Sequence, residues 1–89
     1  MIERKVLIQN KLGLHARASA SFVGEANRFP CYVGIKRDNL EVNGKSIMGV
    51  MMLAASIGTE LVLIAQGEQE EEAIATLELL VNQRFGEAE

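Results

Sequence analysis

The chain is short of the residues that much protein chemistry draws on. Its 89 residues hold one cysteine, one histidine, one proline and no tryptophan, and its aromatic rings are one Tyr and three Phe. A single cysteine excludes an internal disulfide framework. One His with one Cys does not make the usual zinc sites, which take most of four ligands from those types. So few rings argue against a base-stacking RNA platform. Positive charge is also scarce: nine Lys and Arg stand against twelve Asp and Glu, for a net charge of −3. Such a balance disfavours nucleic acid as a partner. Long apolar runs are missing as well. The longest, Ile47 to Ala55 with Gly49 inside it, is far short of the ~20 residues a membrane span needs. The opening residues Met1-Ile2-Glu3-Arg4-Lys5 lack the apolar stretch of a signal peptide. The expectation is a soluble cytoplasmic protein with a reduced thiol, no cofactor and no metal.

What is present is a well-patterned chain that reads as one domain over residues 1–89. Apolar residues make up 48%, enough for a core in a chain that buries ~60–65% of its unfolded surface. Val6-Leu7-Ile8 reads as a strand, broken by Asn10-Lys11-Leu12-Gly13. Ala18, Phe22, Ala26 and Phe29, joined by Val23, form a helical stripe from Ala16 to Phe29, where Pro30 stops it. Cys31–Lys36 and Leu40–Val42 read as hairpin strands around Asp38-Asn39. Ser46 is placed to cap a short helix running towards Ala54, with Ile47, Val50, Met51 and Ala54 inward. Leu61–Ala65 is a strand. Glu70-Glu71-Glu72 opens a last helix with the stripe Ala73, Ile74, Leu77, Leu80, Val81 and Phe85. The order β-α-β-β-α-β-α predicts a two-layer α+β sandwich, one sheet with helices on one face.

Charge is unevenly placed. Residues 1–46 carry +4 and residues 47–89 carry −7. The basic half holds Gly13-Leu14-His15-Ala16-Arg17-Ala18-Ser19, where a helix begins at about Ala16. His15 then sits at the N-cap, a place usually given to Ser, Thr, Asp or Asn. The first amides of a helix lack internal partners, and that end carries about half a positive charge. An anion cradle results, and Arg17 adds a charged fork suited to phosphate oxygens. The same positive end works against an imidazolium and favours a neutral, nucleophilic ring. An imidazole beside such a cradle can accept a phosphoryl group without a second acid or base. By itself, a lone His followed by Arg is a weak signal, and an inert loop histidine is its bland reading.

The second informative stretch is Lys45-Ser46-Ile47-Met48-Gly49-Val50-Met51-Met52. Capping alone would account for Ser46, worth ~1 kcal/mol. Met48 and Met52 either complete the core or form an adaptable docking patch. Cys31 reads as a small buried hydrophobe, and Lys11 and Lys45 as surface charges.

Taken together, the two stretches resemble the HPr family, the histidine-containing phosphocarriers of the bacterial phosphoenolpyruvate-dependent phosphotransferase system. Gly13-Leu14-His15-Ala16-Arg17 resembles the active-site motif, and Lys45-Ser46-Ile47-Met48-Gly49-Val50-Met51 the regulatory-serine motif. The resemblance covers essentially the whole chain. It implies an open-faced sandwich of four antiparallel strands with three helices on one face. It implies that His15 takes a phosphoryl group on Nδ1 from Enzyme I and passes it to an IIA-type protein. Arg17 and the amides of Ala16, Arg17 and Ala18 would hold the phosphate. Ser46 would be a candidate site for an HPr kinase/phosphatase, and Ile47, Met48, Met51 and Met52 would lie at the docking surface. Most carbohydrate-branch members have Pro where this chain has Ala18. That departure, with Phe29-Pro30-Cys31 and Met51-Met52-Leu53-Ala54-Ala55, makes the chain look most like the nitrogen-branch NPr proteins. The alternatives are a general HPr of carbohydrate uptake or an HPr-like regulator that relays no phosphate. An acyl-carrier protein needs an attachment serine in an Asp-Ser-Leu setting, which Lys45-Ser46-Ile47 does not provide. A small chain with one docking face is expected to be a monomer.

Overall fold

The computed structural model describes residues 1–89. Seven main elements follow the expected order: β1 (Ile2–Leu7), α1 (Ala16–Ala26), β2 (Tyr32–Arg37), β3 (Leu40–Asn43), α2 (Ile47–Met51), β4 (Glu60–Gln66) and α3 (Glu70–Asn82), followed by a 3₁₀ turn at Arg84–Gly86. The sheet has the strand order β1-β4-β2-β3, antiparallel throughout. β4 is central: Leu63 faces Arg4 on one side and Ile35 on the other. Placing the last strand between the first two ties the halves of the chain together.

Strand alternation decides which face is covered. Val6, Val33, Ile35, Leu61, Leu63 and Ala65 point into one buried cluster with Phe22, Ala26, Ile74, Leu77 and Val81 of the helices. The three helices cover that face, and Phe22 fills the middle at 1% exposure. Cys31 is buried in the same cluster.

The first strand, expected at Val6–Ile8, begins at Ile2 and ends at Leu7, and three helix ends also differ from the sequence reading. α1 stops at Ala26 rather than Phe29. Asn27 turns its side-chain amide back to the Val23 carbonyl, and the amides of Arg28 and Phe29 bond only three residues back. Proline disfavours a helical conformation in the residue before it, so the last turn tightens ahead of Pro30.

α2 has five residues, and of its expected inward set only Val50 is buried. Ile47, Met51 and Ala54 are exposed, and Leu53 is buried instead. The Arg37 guanidinium donates to the carbonyls of Leu53 and Ala54 at 2.8 and 3.0 Å, and Ala54 turns to φ +48°. The chain leaves the helical path before a 3.6-residue stripe develops.

α3 ends at Asn82, so Phe85 is not part of its stripe. Arg84 and Phe85 are left-handed, yet Phe85 remains buried.

Gly13 is the position where backbone freedom is required. Its φ is +66°, and a Cβ there would lie 2.3 Å from the Ala55 carbonyl oxygen. Gly13→Ala should therefore lower stability by roughly 2–4 kcal/mol, combining left-handed strain with overpacking. Urea unfolding monitored by circular dichroism measures this. A midpoint equal to that of the native chain would contradict the packing described.

Candidate functional site

The site is built where the chain leaves the β1–β4 edge and enters α1. Ile8 continues the pairing beyond β1, giving and accepting bonds with Thr59 and Gly58. Gly13 then reverses the chain. The Leu14 amide donates to the Ala55 carbonyl at 2.8 Å, and the Leu14 carbonyl accepts from the Ser19 hydroxyl at 3.2 Å. Leu14 is thus pinned on both sides and buried, which fixes the next residue.

That residue, His15, is extended and is the N-cap of α1. Its Nδ1 accepts the Arg17 amide at 3.3 Å, a long bond. The amides of Ala16 and Ala18 have no acceptor within the chain. Of the first helix amides, those of Ala16 and Ala18 are thus unpaired, and that of Arg17 is weakly held against Nδ1. Ala18 is fully buried as a whole residue, so its unpaired amide lies beneath the surface of the helix start. The Arg17 side chain is exposed and forms no ion pair within the chain.

The other ring nitrogen faces a group that the sequence reading missed. His15 Nε2 meets the Glu87 carboxylate. The second Glu87 oxygen accepts from Asn10 Nδ2 at 2.9 Å, and the same amide nitrogen donates to the Gly13 carbonyl at 2.8 Å. Asn10 is fully buried. The left-handed residues Arg84, Phe85 and Gly86 bring the chain back to this point. The Lys11 amide, donating to the Glu89 carbonyl at 2.9 Å, holds the segment in place. The basic half of the sequence does not form the site alone, because a carboxylate from the acidic half completes it. No local pattern announces a contact that spans 72 positions.

The second predicted site lies elsewhere. Ser46 caps α2, its hydroxyl accepting the Gly49 amide at 3.2 Å. Lys45 Nζ donates to the Phe29 carbonyl at 2.5 Å, so it serves the far end of α1 rather than standing free. His15 and Ser46 therefore belong to opposite ends of an 11-residue helix, ~16 Å apart along its axis. Of the expected docking residues, Met48 and Met52 are 77% and 69% exposed, and Ile47 and Met51 are also open to solvent.

Comparison with known proteins decides the family. The family model described as the PTS HPr component phosphorylation site matches residues 2–83. The chain belongs to the HPr family of phosphotransferase-system phosphocarriers. It is 57% identical over 86 residues to phosphocarrier protein HPr of Pseudomonas aeruginosa, covering 96% of each chain. The crystal structure of HPr-C-His from Thermoanaerobacter tengcongensis superposes with a TM-score of 0.96 at 46% identity, with both chains covered completely. The fold is thus the HPr sandwich, as expected. Crh of Bacillus subtilis, solved as an intertwined dimer with a swapped domain, is 52% identical with a TM-score of 0.76, covering 93% of this chain and 95% of that one. The Pseudomonas relative carries the HPr name rather than that of the nitrogen branch.

Hydrogen bonds from Asn10, then from His15, hold the Glu87 carboxyl below the usual carboxylate range. A carboxyl lowered by folding stabilises the folded state fully above its unfolded value of ~4.3, and the benefit fades as pH falls through the lower folded value. Acid titration should therefore release the Glu87–Glu89 segment from Asn10 and Lys11 before the core opens. The Asn10 side-chain and Lys11 backbone amide signals in NMR spectra should move together below pH ~4.3. If they stay fixed until global unfolding, Glu87 is not what holds the segment.

Proposed function

We propose that His15 accepts a phosphoryl group on Nδ1 from Enzyme I charged by phosphoenolpyruvate and passes it to an IIA-type protein. The observation carrying this reading is the placement of Nδ1 at the start of α1, 3.3 Å from the Arg17 amide, where the amides of Ala16 and Ala18 have no partner in the chain. Phosphoryl oxygens arriving there accept from those amides, and the Arg17 amide exchanges its long bond to the ring for one to phosphate. The exposed Arg17 guanidinium can follow the phosphate and add a charged fork. Positioning and charge stabilisation supply most of what phosphoryl transfer needs. The protein is a carrier rather than a stand-alone enzyme, works in the cytoplasm, and makes a covalent phosphohistidine that its partners turn over. Ile47, Met48, Met51 and Met52 form the patch on which the partners dock, and a single such face fits a monomer acting over residues 1–89.

Two branches remain as readings. Ala18 in place of proline favours the nitrogen-related branch. The HPr name of the Pseudomonas aeruginosa relative favours a general HPr of carbohydrate uptake. One labelling experiment addresses carrier and branch together. With Enzyme I and phosphoenolpyruvate the chain should gain one acid-labile phosphate, absent in His15→Ala. Label that persists in His15→Ala would sink the carrier reading. Transfer to a nitrogen-type IIA should outrun transfer to a sugar-type IIA, and equal or slower transfer would reassign the branch.

Ser46 is the proposed site for a regulatory kinase/phosphatase. A phosphate at a helix start is tolerated electrostatically, so the fold should persist while the docking patch gains negative charge. Ser46→Asp should raise the KM of Enzyme I for this protein about three- to tenfold at low salt, with the effect shrinking as salt rises. Undiminished phosphorylation kinetics would remove the regulatory role.

A further inference from the structure

The unexplained feature of the site is the investment in Glu87. A fully buried Asn10 presents its amide to one carboxylate oxygen, and the other oxygen meets His15 Nε2. The left-handed run Arg84-Phe85-Gly86 and the Lys11–Glu89 backbone bond direct the segment to this place. The ring is then held at both nitrogens. The Arg17 amide donates to Nδ1, which must therefore carry a lone pair. Nε2 faces an acceptor and so carries the proton. The other charges near the ring are Arg17, Lys11 and Glu89, which border the same hollow.

Building on the phosphocarrier reading, we propose that Glu87 is a positioning residue for the transfer, keeping the proton on Nε2 and balancing the positive charge that the ring acquires when Nδ1 is phosphorylated. The Nδ1 lone pair forms the new N–P bond. The bond between phosphorus and the donor's leaving atom breaks, and its electron pair departs with the donor. No proton leaves His15, so its ring becomes cationic beside the Glu87 carboxylate. On donation the N–P pair returns to Nδ1 and a neutral ring with Nε2–H remains. The carboxylate steadies the charged ring as the aspartate of a Ser-His-Asp triad steadies its histidine.

The test compares the full native chain with Glu87→Gln, Glu87→Ala and the remote charge control Glu72→Gln, which lies on an exposed part of α3. In Glu87→Gln the maximal rate of Enzyme I-dependent phosphorylation should fall roughly tenfold, the scale of one charge-assisted hydrogen bond. KM should stay within about twofold, because Glu87 acts on the ring rather than on docking. The ring Nε2–H proton should give a downfield, slowly exchanging NMR signal in the native chain. That signal should shift upfield in Glu87→Gln, disappear in Glu87→Ala and be unchanged in Glu72→Gln. The proposal is overturned if Glu87→Gln keeps both the native rate and the native ring signal, or if Glu72→Gln loses as much. If the native chain takes no phosphate on His15, the carrier reading fails and this inference goes with it. Normal native labelling with an indifferent Glu87→Gln removes this inference alone.

Discussion

Helix α1 starts with amides that the chain itself leaves largely unmet, and the imidazole of His15 stands in the place of an ordinary cap. The long 3.3 Å bond from the Arg17 amide to Nδ1 expresses this arrangement. A serine or aspartate would satisfy the helix end better. An imidazole satisfies it weakly, which leaves the amides of Ala16 and Ala18 without a partner in the chain and that of Arg17 only loosely held. Much of the surrounding structure serves to hold this helix start in place. Gly13 makes the reversal, Leu14 is bonded to Ala55 and Ser19, and Asn10 grips the Gly13 carbonyl.

The sheet gives that start its rigid base. Because β4 pairs with both β1 and β2, the loop before α1 and the loop after α2 come from one framework. Ala55, in the second loop, is the acceptor that seats Leu14 in the first. Helix α2, with its exposed apolar residues, packs against the same helix that carries His15, but Ser46 lies near the other end of it. On the proposed reading, a charge added at Ser46 acts on partners through a shared surface rather than by touching the imidazole.

The fold was largely legible because its signals are local. The helical stripe Ala18-Phe22-Ala26, the alternation across Ile35 and Leu63, and the caps at His15 and Ser46 all declare themselves within a few residues. The element ends were less legible, since they depend on partners distant in sequence. Arg37 holds the carbonyls of Leu53 and Ala54 just beyond the end of α2, a contact that no local pattern foretells. Phe85 continues the apolar stripe of α3 in sequence while its backbone has left the helix. Glu87 was the largest omission at the site. It looked like one more acid in an acidic half, and its meaning appears only once the chain has folded back onto Asn10 and His15.

The central claim is that the two ring nitrogens of His15 have different duties: Nδ1 takes phosphorus at the helix start, and Nε2 keeps its proton against Glu87. The most direct measurement is nitrogen–phosphorus NMR on ring-¹⁵N-labelled protein phosphorylated by Enzyme I and phosphoenolpyruvate. The account predicts phosphorus coupled to Nδ1 of His15, with the proton on Nε2. Phosphorus on Nε2, or on any residue other than His15, would contradict it.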